Sequence, residues 1–206
     1  LDYQTWKRFI EGGEADPRLD PGLVNSWKRC TELGVDPVTD EMLDDSSPNN
    51  QFEAETLLSL ADRLDPKLLS LMEEKDLVFA ITDAKGRFVY RDGASTALKR
   101  TERLGFVVDA DWTEGSVGTN AIGTALVEGF PVQIFGREHF RASHQSFRCT
   151  AAPFFSPSGR IMGCLDLSSG LEVAHSLNLS LVLGISRFFA SLLLSVPPPA
   201  FSPWPP

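Results

Sequence analysis

The chain has 206 residues, a formal net charge of −9 and a sequence pI near 4.8. That length suits one well-buried core with room for a small second unit, and 42% hydrophobic with 23% charged residues excludes a disordered chain. Acidic residues outnumber basic ones 28 to 19, and Lys and Arg are scattered singly or in pairs, so direct nucleic-acid binding is excluded for want of a basic stripe.

The N-terminal quarter reads as helices. Asp2 to Glu11 forms a short one ended by Gly12 and Gly13. The next has Asp20 as N-cap, Pro21 at its first position and Gly34 just past its end. Val24, Trp27 and Cys30 lie three apart on one face of it. The acidic stretch from Asp36 to Asn50 holds two prolines and DDSSPNN, and reads as a linker. Helical periodicity returns in QFEAETLLSLADRL, and Asp65-Pro66 restarts a further helix.

At Asp76 the pattern changes. DLVFAIT and RFVYRD are β-favouring runs joined by the turn Asp83 to Gly86, and together they predict a hairpin. A glycine-rich stretch follows, in which VGTNAIGTALVEG is expected to be one helix. PVQIF is a short strand and REHFRASHQS is irregular or a short helix. FRCTAAPFF and RIMGCLDLSS form a second hairpin around Ser156 to Gly159. A two-residue turn there would put Cys149 and Cys164 on one sheet face, whereas a bulged turn using Gly159 would flip that register.

The last helix is expected from about Leu171 to Val196. Ser176, Ser180, Gly184, Arg187, Ser191 and Ser195 recur on it at spacings of three or four, a narrow polar stripe on an apolar cylinder. Its length is close to that of a membrane span, but Arg187 near its middle, the serine stripe and the lack of basic flanks oppose that reading. It reads instead as a helix buried on one side by its own sheet and on another by a partner subunit, with Leu181, Ile185, Phe188 and Leu192 as the interface. Six of the last ten residues are proline, an extended tail.

The order of elements predicts an α+β fold: an antiparallel sheet with helices on both sides and a glycine-rich insertion roofing one face. The division expected is residues 1–50 as a helical unit and linker, 51–196 as the sheet domain with its flanking helices, and 197–206 as the tail. The three cysteines Cys30, Cys149 and Cys164 form no CxxC pair, which excludes a disulfide framework and a zinc site of the usual spacing. The chain has neither an initiating Met nor a basic-then-apolar leader, which reads as a cytoplasmic segment trimmed from a longer protein.

Trp112 to Leu126 is the most unusual stretch. Its small residues permit close backbone approach, and Thr119, Asn120 and Thr124 supply polar groups. Two uses are open: a ligand site, or tight packing with Asn120 as an internal hydrogen-bonder. Neither GxGxxG after a strand nor GxxxxGK[ST] is present. Glu138, His139, His144 and Cys149 include metal-ligating types, but their spacing fits neither a helix face nor a strand face. A Cys149–His144 nucleophilic pair is disfavoured because Cys149 sits in an apolar strand. The reading preferred is a pocket rim with Cys149 as a small core residue.

These motifs carry a resemblance. WTEGSVGTNAIGTAL, then EHF, then RCTAAPFFSPSGRIMGCLDLS, with SWKRCTELGVDP upstream, resembles the sensory region of sigma-54-dependent transcriptional activators of the acetoin-catabolism-regulator type, from about Asn25 to Ser169. The chain departs from the family pattern in the run Arg141 to Gln145 and at Phe154, where Ile is common. The resemblance implies a PAS-like GAF domain, no cofactor and no enzymatic activity. It also implies a homodimer, joined in a full-length regulator to an AAA+ ATPase and a helix-turn-helix domain, neither of which is in this sequence. The small-molecule effector expected would lie under the Trp112 segment. Trp112 and Ile122 would form its apolar wall, Asn120, Glu138, His139 and His144 would orient it, and Cys149 and Ala151 would form the floor. The other readings are a dimerisation and docking scaffold that binds no ligand, and a Cys/His metal or haem sensor.

Overall fold

The computed structural model describes residues 1–39, 51–172 and 177–194. The N-terminal signals act as expected. Asp2 accepts the Thr5 N–H at 2.8 Å to start α1 (Tyr3–Gly12), and Gly13 ends it at φ 69°. Asp20 caps α2 (Pro21–Glu32) through the Gly22 and Leu23 N–H groups. The buried face of α2 is Leu23, Ser26, Trp27 and Cys30, with Val24 only half-buried. α3 (Gln51–Ala61) and α4 (Pro66–Glu74) follow, the latter capped by Asp65.

Five strands make one antiparallel sheet: β1 (Val78–Asp83), β2 (Phe88–Gly93), β3 (Val132–Phe135), β4 (Phe147–Phe155) and β5 (Ile161–Gly170), in the order β2-β1-β5-β4-β3. Period-two alternation gives each face its own core. Phe79, Ile81, Phe154, Leu165 and Leu167 pack under α3, α4 and the terminal helix α8 (Asn178–Leu194). Val78, Ala80, Cys149, Ala151 and Cys164 face the other way. That second face is covered by α5 (Ser95–Glu102), α6 (Glu114–Val117) and α7 (Ala121–Glu128). Trp6 and Phe9 of α1 and Trp27 of α2 bury in the same core, so the N-terminal helices are continuous with the sheet's packing. The Trp6 indole N–H donates to the Phe140 carbonyl at 3.0 Å, and that of Trp27 to the Glu138 carbonyl at 2.7 Å.

Several expectations need correction. The glycine-rich run is two helices, because Gly118 sits at φ 77° with no room for a side chain and Asn120 restarts the chain as an N-cap. The terminal helix begins at Asn178, and Leu171 and Glu172 form a turn. Ile185, expected at a dimer interface, is only 5% exposed and packs into its own sheet's core. Cys149 and Cys164 do share a face although Gly159 takes φ 83°: a one-residue shift at Phe154/Phe155 cancels the offset of the loop. The stripe positions Ser180, Gly184, Arg187 and Ser191 are exposed. No helix among the described residues is long and apolar enough to cross a membrane. Residues 40–50 of the expected linker, Ser176, Ser195 and the proline tail lie outside the described residues.

Close approach at Gly123 fixes how α7 crosses the start of α6. A Cβ there would lie 2.7 Å from the Glu114 backbone nitrogen and 2.9 Å from the Trp112 carbonyl oxygen. Gly123→Ala is expected to destabilise by about 1–3 kcal/mol. Gly12→Ala, at a helical position with nothing within 4 Å, is expected to be neutral or stabilising by up to about 1 kcal/mol. Urea midpoints of the two variants check this contrast.

Candidate functional site

The roof over the sheet is held by one buried carboxylate. Glu114 is 3% exposed. Arg29 of α2 grips it in bidentate fashion, Nε to Oε2 at 2.6 Å and Nη2 to Oε1 at 2.8 Å. Ser26 and Thr124 hydroxyls donate to Oε1 at 2.6 and 2.8 Å. The remaining guanidinium nitrogen, Nη1, reaches Glu128 at the end of α7 at 2.8 Å. The Glu114 and Glu128 carboxylates hold Arg29 more firmly protonated than usual.

Under this roof lies a small ring-lined site. Rings step across it: Phe88 to Phe106 at 4.2 Å between centroids, Phe106 to Trp112 at 4.7 Å, and Trp112 to His144 at 5.1 Å. His139 closes the row, 6.3 Å from His144. The space bounded by Phe106, Trp112, His139 and His144 of this row, with Thr101, Leu104, Phe147, Cys149 and Ser168, is a cavity of about 10 Å³, about enough for one water.

Burial controls the protonation of this site. It pushes His139 down to about 4 and, reinforced by His139 and then Arg141, His144 down to about 3, so both are neutral imidazoles. The Nδ1 of His139 lies 2.9 Å from the Gly136 carbonyl oxygen and so carries the hydrogen. The Nδ1 of His144 is buried with no hydrogen-bond partner. Burial, and then the Asp166 charge, push the Cys149 thiol well above its ordinary range, so it stays S–H and is not a ready nucleophile. Ser168 Oγ lies 2.6 Å from Asp166 Oδ2 and 3.1 Å from Cys149 Sγ. Its single proton serves one neighbour at a time. An ionised Asp166 takes it, whereas a protonated Asp166 donates to Ser168 and frees that proton for the sulfur. Desolvation raises Asp166 to about 7, and its Oδ1 is buried without a partner.

Of the eight ligand-site residues expected, Trp112, His139, His144 and Cys149 come together. Asn120 does not join them. Its Nδ2 donates to the Trp112 and Gly118 carbonyls at 3.1 and 2.8 Å, and its Oδ1 accepts from the Gly123 N–H at 2.9 Å, which commits the side chain to structure. Ile122 and Ala151 are core residues that do not line the cavity. Glu138 faces a different groove and caps the Phe135 N–H at 2.7 Å. No group of three or more His, Cys, Asp and Glu among the described residues is placed to hold a metal ion. Sequence reasoning misses Thr101, Leu104, Phe106, Phe147, Ser168 and the role of Asp166. The alternation of β5 puts Asp166 and Ser168 on the face of Cys164, a signal available once that register is known.

The profile of the MimR N-terminal domain matches residues 4–187. The chain belongs to the MimR N-terminal domain family. This member is 36% identical over 183 residues to the acetoin dehydrogenase operon transcriptional activator AcoR of Bacillus subtilis. That alignment covers 84% of the chain and 30% of AcoR. It is 30% identical over 177 residues to the acetoin catabolism regulatory protein of Cupriavidus necator, covering 84% of the chain and 26% of that protein. The chain thus spans under a third of the length of these regulators. Among solved structures it matches the Escherichia coli DhaR(N)–DhaL complex with a TM-score of 0.77 and 25% identity, covering 85% of this chain and 60% of that one. This MimR-type domain is therefore a GAF-like α+β fold whose relatives are named as transcriptional regulators, not enzymes.

The buried titrating groups make opposed contributions to stability. Below about pH 6.5 the unfolded chain protonates His139 and His144 while the fold refuses those protons, down to about 4 and 3; their contribution is lost as pH falls. Asp166 runs the other way, because the fold keeps a proton up to about 7 that the unfolded chain releases near 3.8. Between pH 4.5 and 6.5 Asp166→Asn removes that counter-slope. The variant's unfolding free energy should therefore climb with pH more steeply than wild type by about one proton, roughly 1.4 kcal/mol per pH unit. Urea denaturation at three pH values measures it.

Proposed function

We propose that this chain is the signal-receiving domain of a sigma-54-dependent transcriptional activator, that a small uncharged molecule registers in the cavity beneath Trp112, and that the response travels through α8 to a homodimer. The observation that carries this reading is the buried Nδ1 of His144, a polar atom without a partner at the edge of an apolar, ring-lined cavity. Native cores seldom leave such an atom unsatisfied unless a ligand or water serves it. The groups lining the cavity are uncharged near neutral pH, so a charged effector would be desolvated with no counter-charge. Differential affinity for two poses of the roof would supply the signal.

Thermal shift with a panel of small alcohols, ketones and carboxylic acids tests this. An uncharged effector at a hundredfold excess over its Kd stabilises by about 2.7 kcal/mol, a Tm rise of roughly 5–10 °C for a domain of this size. His144→Phe should abolish the rise. The second reading, a scaffold that docks and dimerises without a ligand, is favoured by the smallness of the cavity, about 10 Å³, and by the capture of the DhaR N-terminal region with the protein DhaL. If no compound raises Tm, that second reading replaces the first.

For the homodimer, Phe188 is 41% exposed on α8 and Leu181 and Leu192 are half-buried. Phe188→Asp is expected to convert dimer to monomer in sedimentation velocity without lowering the unfolding midpoint. Retention of the dimer would remove α8 as the interface.

A further inference from the structure

On the far side of the roof, away from the effector cavity, a groove of about 380 Å³ runs between the start of α2 and the strand β3. Among the described residues β3 is an outer strand of the sheet and pairs only with β4. The Phe135 N–H turns away from β4 and is already taken by Glu138. By the alternation of an antiparallel ladder, Gln133, two residues earlier, turns its backbone N–H and C=O the same way, into the groove. Phe130, 52% exposed, stands at the rim.

The charge of the groove is one-sided. Its cation, Arg18, is neutralised by Asp16 through contacts of 2.6 and 3.0 Å. Glu128 is spent on Arg29. Asp20 and Glu138 remain, their side chains bonded, among the described residues, to backbone N–H groups. Burial, with a smaller contribution from the Asp20 charge, raises the Glu138 carboxyl above its ordinary range, against the opposing pull of the Phe135 N–H and the Leu1 ammonium. A cation seated between the two would relieve both effects.

We propose that the β3 groove docks an extended, basic segment of a partner protein, which adds a strand to the free edge at Gln133 and places a Lys or Arg between Asp20 and Glu138. Main-chain pairing supplies affinity and the carboxylates supply selection, the division of labour of strand addition. The effector cavity plays no part in this docking.

Fluorescence anisotropy with a dansylated nonapeptide of alternating Lys and Val tests it on the whole chain. This peptide should bind at least tenfold more tightly than its Glu–Val counterpart. Glu138→Gln and Asp20→Asn keep the acceptors for the Phe135 and α2 N–H groups while removing charge, and each should weaken binding about tenfold. Gln133→Pro deletes one outward N–H from an edge strand, where proline is tolerated, and should weaken binding with the Lys–Val peptide as much. Glu73→Gln with Glu74→Gln removes twice the charge of either variant from α4 and should change binding less than twofold. Equal loss in that control, equal binding of the two peptides, or wild-type binding by both carboxylate variants overturns the proposal.

Discussion

Everything on the sheet face beneath α6 and α7 depends on the bidentate grip of Arg29 on Glu114. A carboxylate so deeply buried is tolerable only when it is fully satisfied, and Glu114 is met by a guanidinium and two hydroxyls. Its partners come from α2 and α7, and Arg29 reaches on to Glu128. One charge cluster therefore sets the relative position of three helices that apolar packing alone would leave free to slide. Breaking it would strand the Glu114 charge in the core, a cost of about 3–5 kcal/mol. The roof over the cavity is thus specified by polar chemistry and only filled by hydrophobic contact.

The two sheet faces have different characters for the same reason. Under α3, α4 and α8 the sheet offers large apolar side chains, Phe79, Ile81, Phe154, Leu165 and Leu167, and makes an ordinary close-packed layer. The opposite face offers Ala80, Cys149, Ala151, Cys164, Asp166 and Ser168, small or polar groups that leave space to be filled from above. The rings of Phe106, Trp112 and His144 fill it almost completely. The protonation states follow from that dryness, since neither imidazole nor the aspartate has a nearby counter-charge to keep it ionised.

The fold was largely legible in the sequence because its signals are local. Asp2, Asp20 and Asp65 mark helix starts, and VFAITD and RCTAAPFF declare strands by their composition. The break at Gly118 is hidden because helical periodicity continues across it, and the left-handed φ of Gly118 and the cap by Asn120 show only in the folded chain. Half of the expected site residues converge. Trp112, His139, His144 and Cys149 stand out in the sequence by their chemistry, and the core collects them. Asn120 was misjudged as a ligand contact because an amide looks the same in sequence whether it faces a ligand or caps a helix. Asp166 and Ser168 acquire meaning only through the pairing of β4 with β5, whose register includes a one-residue shift at Phe154/Phe155.

The two indole hydrogen bonds from Trp6 and Trp27 bear on where this domain ends. Both land on carbonyls of the stretch Glu138 to Phe140, which belongs to no strand and carries His139. A fragment cut at Gln51, as the linker composition invites, would strip those donors from the carbonyls. It would also leave Glu114 without its guanidinium and open an aromatic wall to water. The working unit of this protein therefore includes its first two helices, and the histidine segment keeps its shape only while two tryptophans hold it from outside.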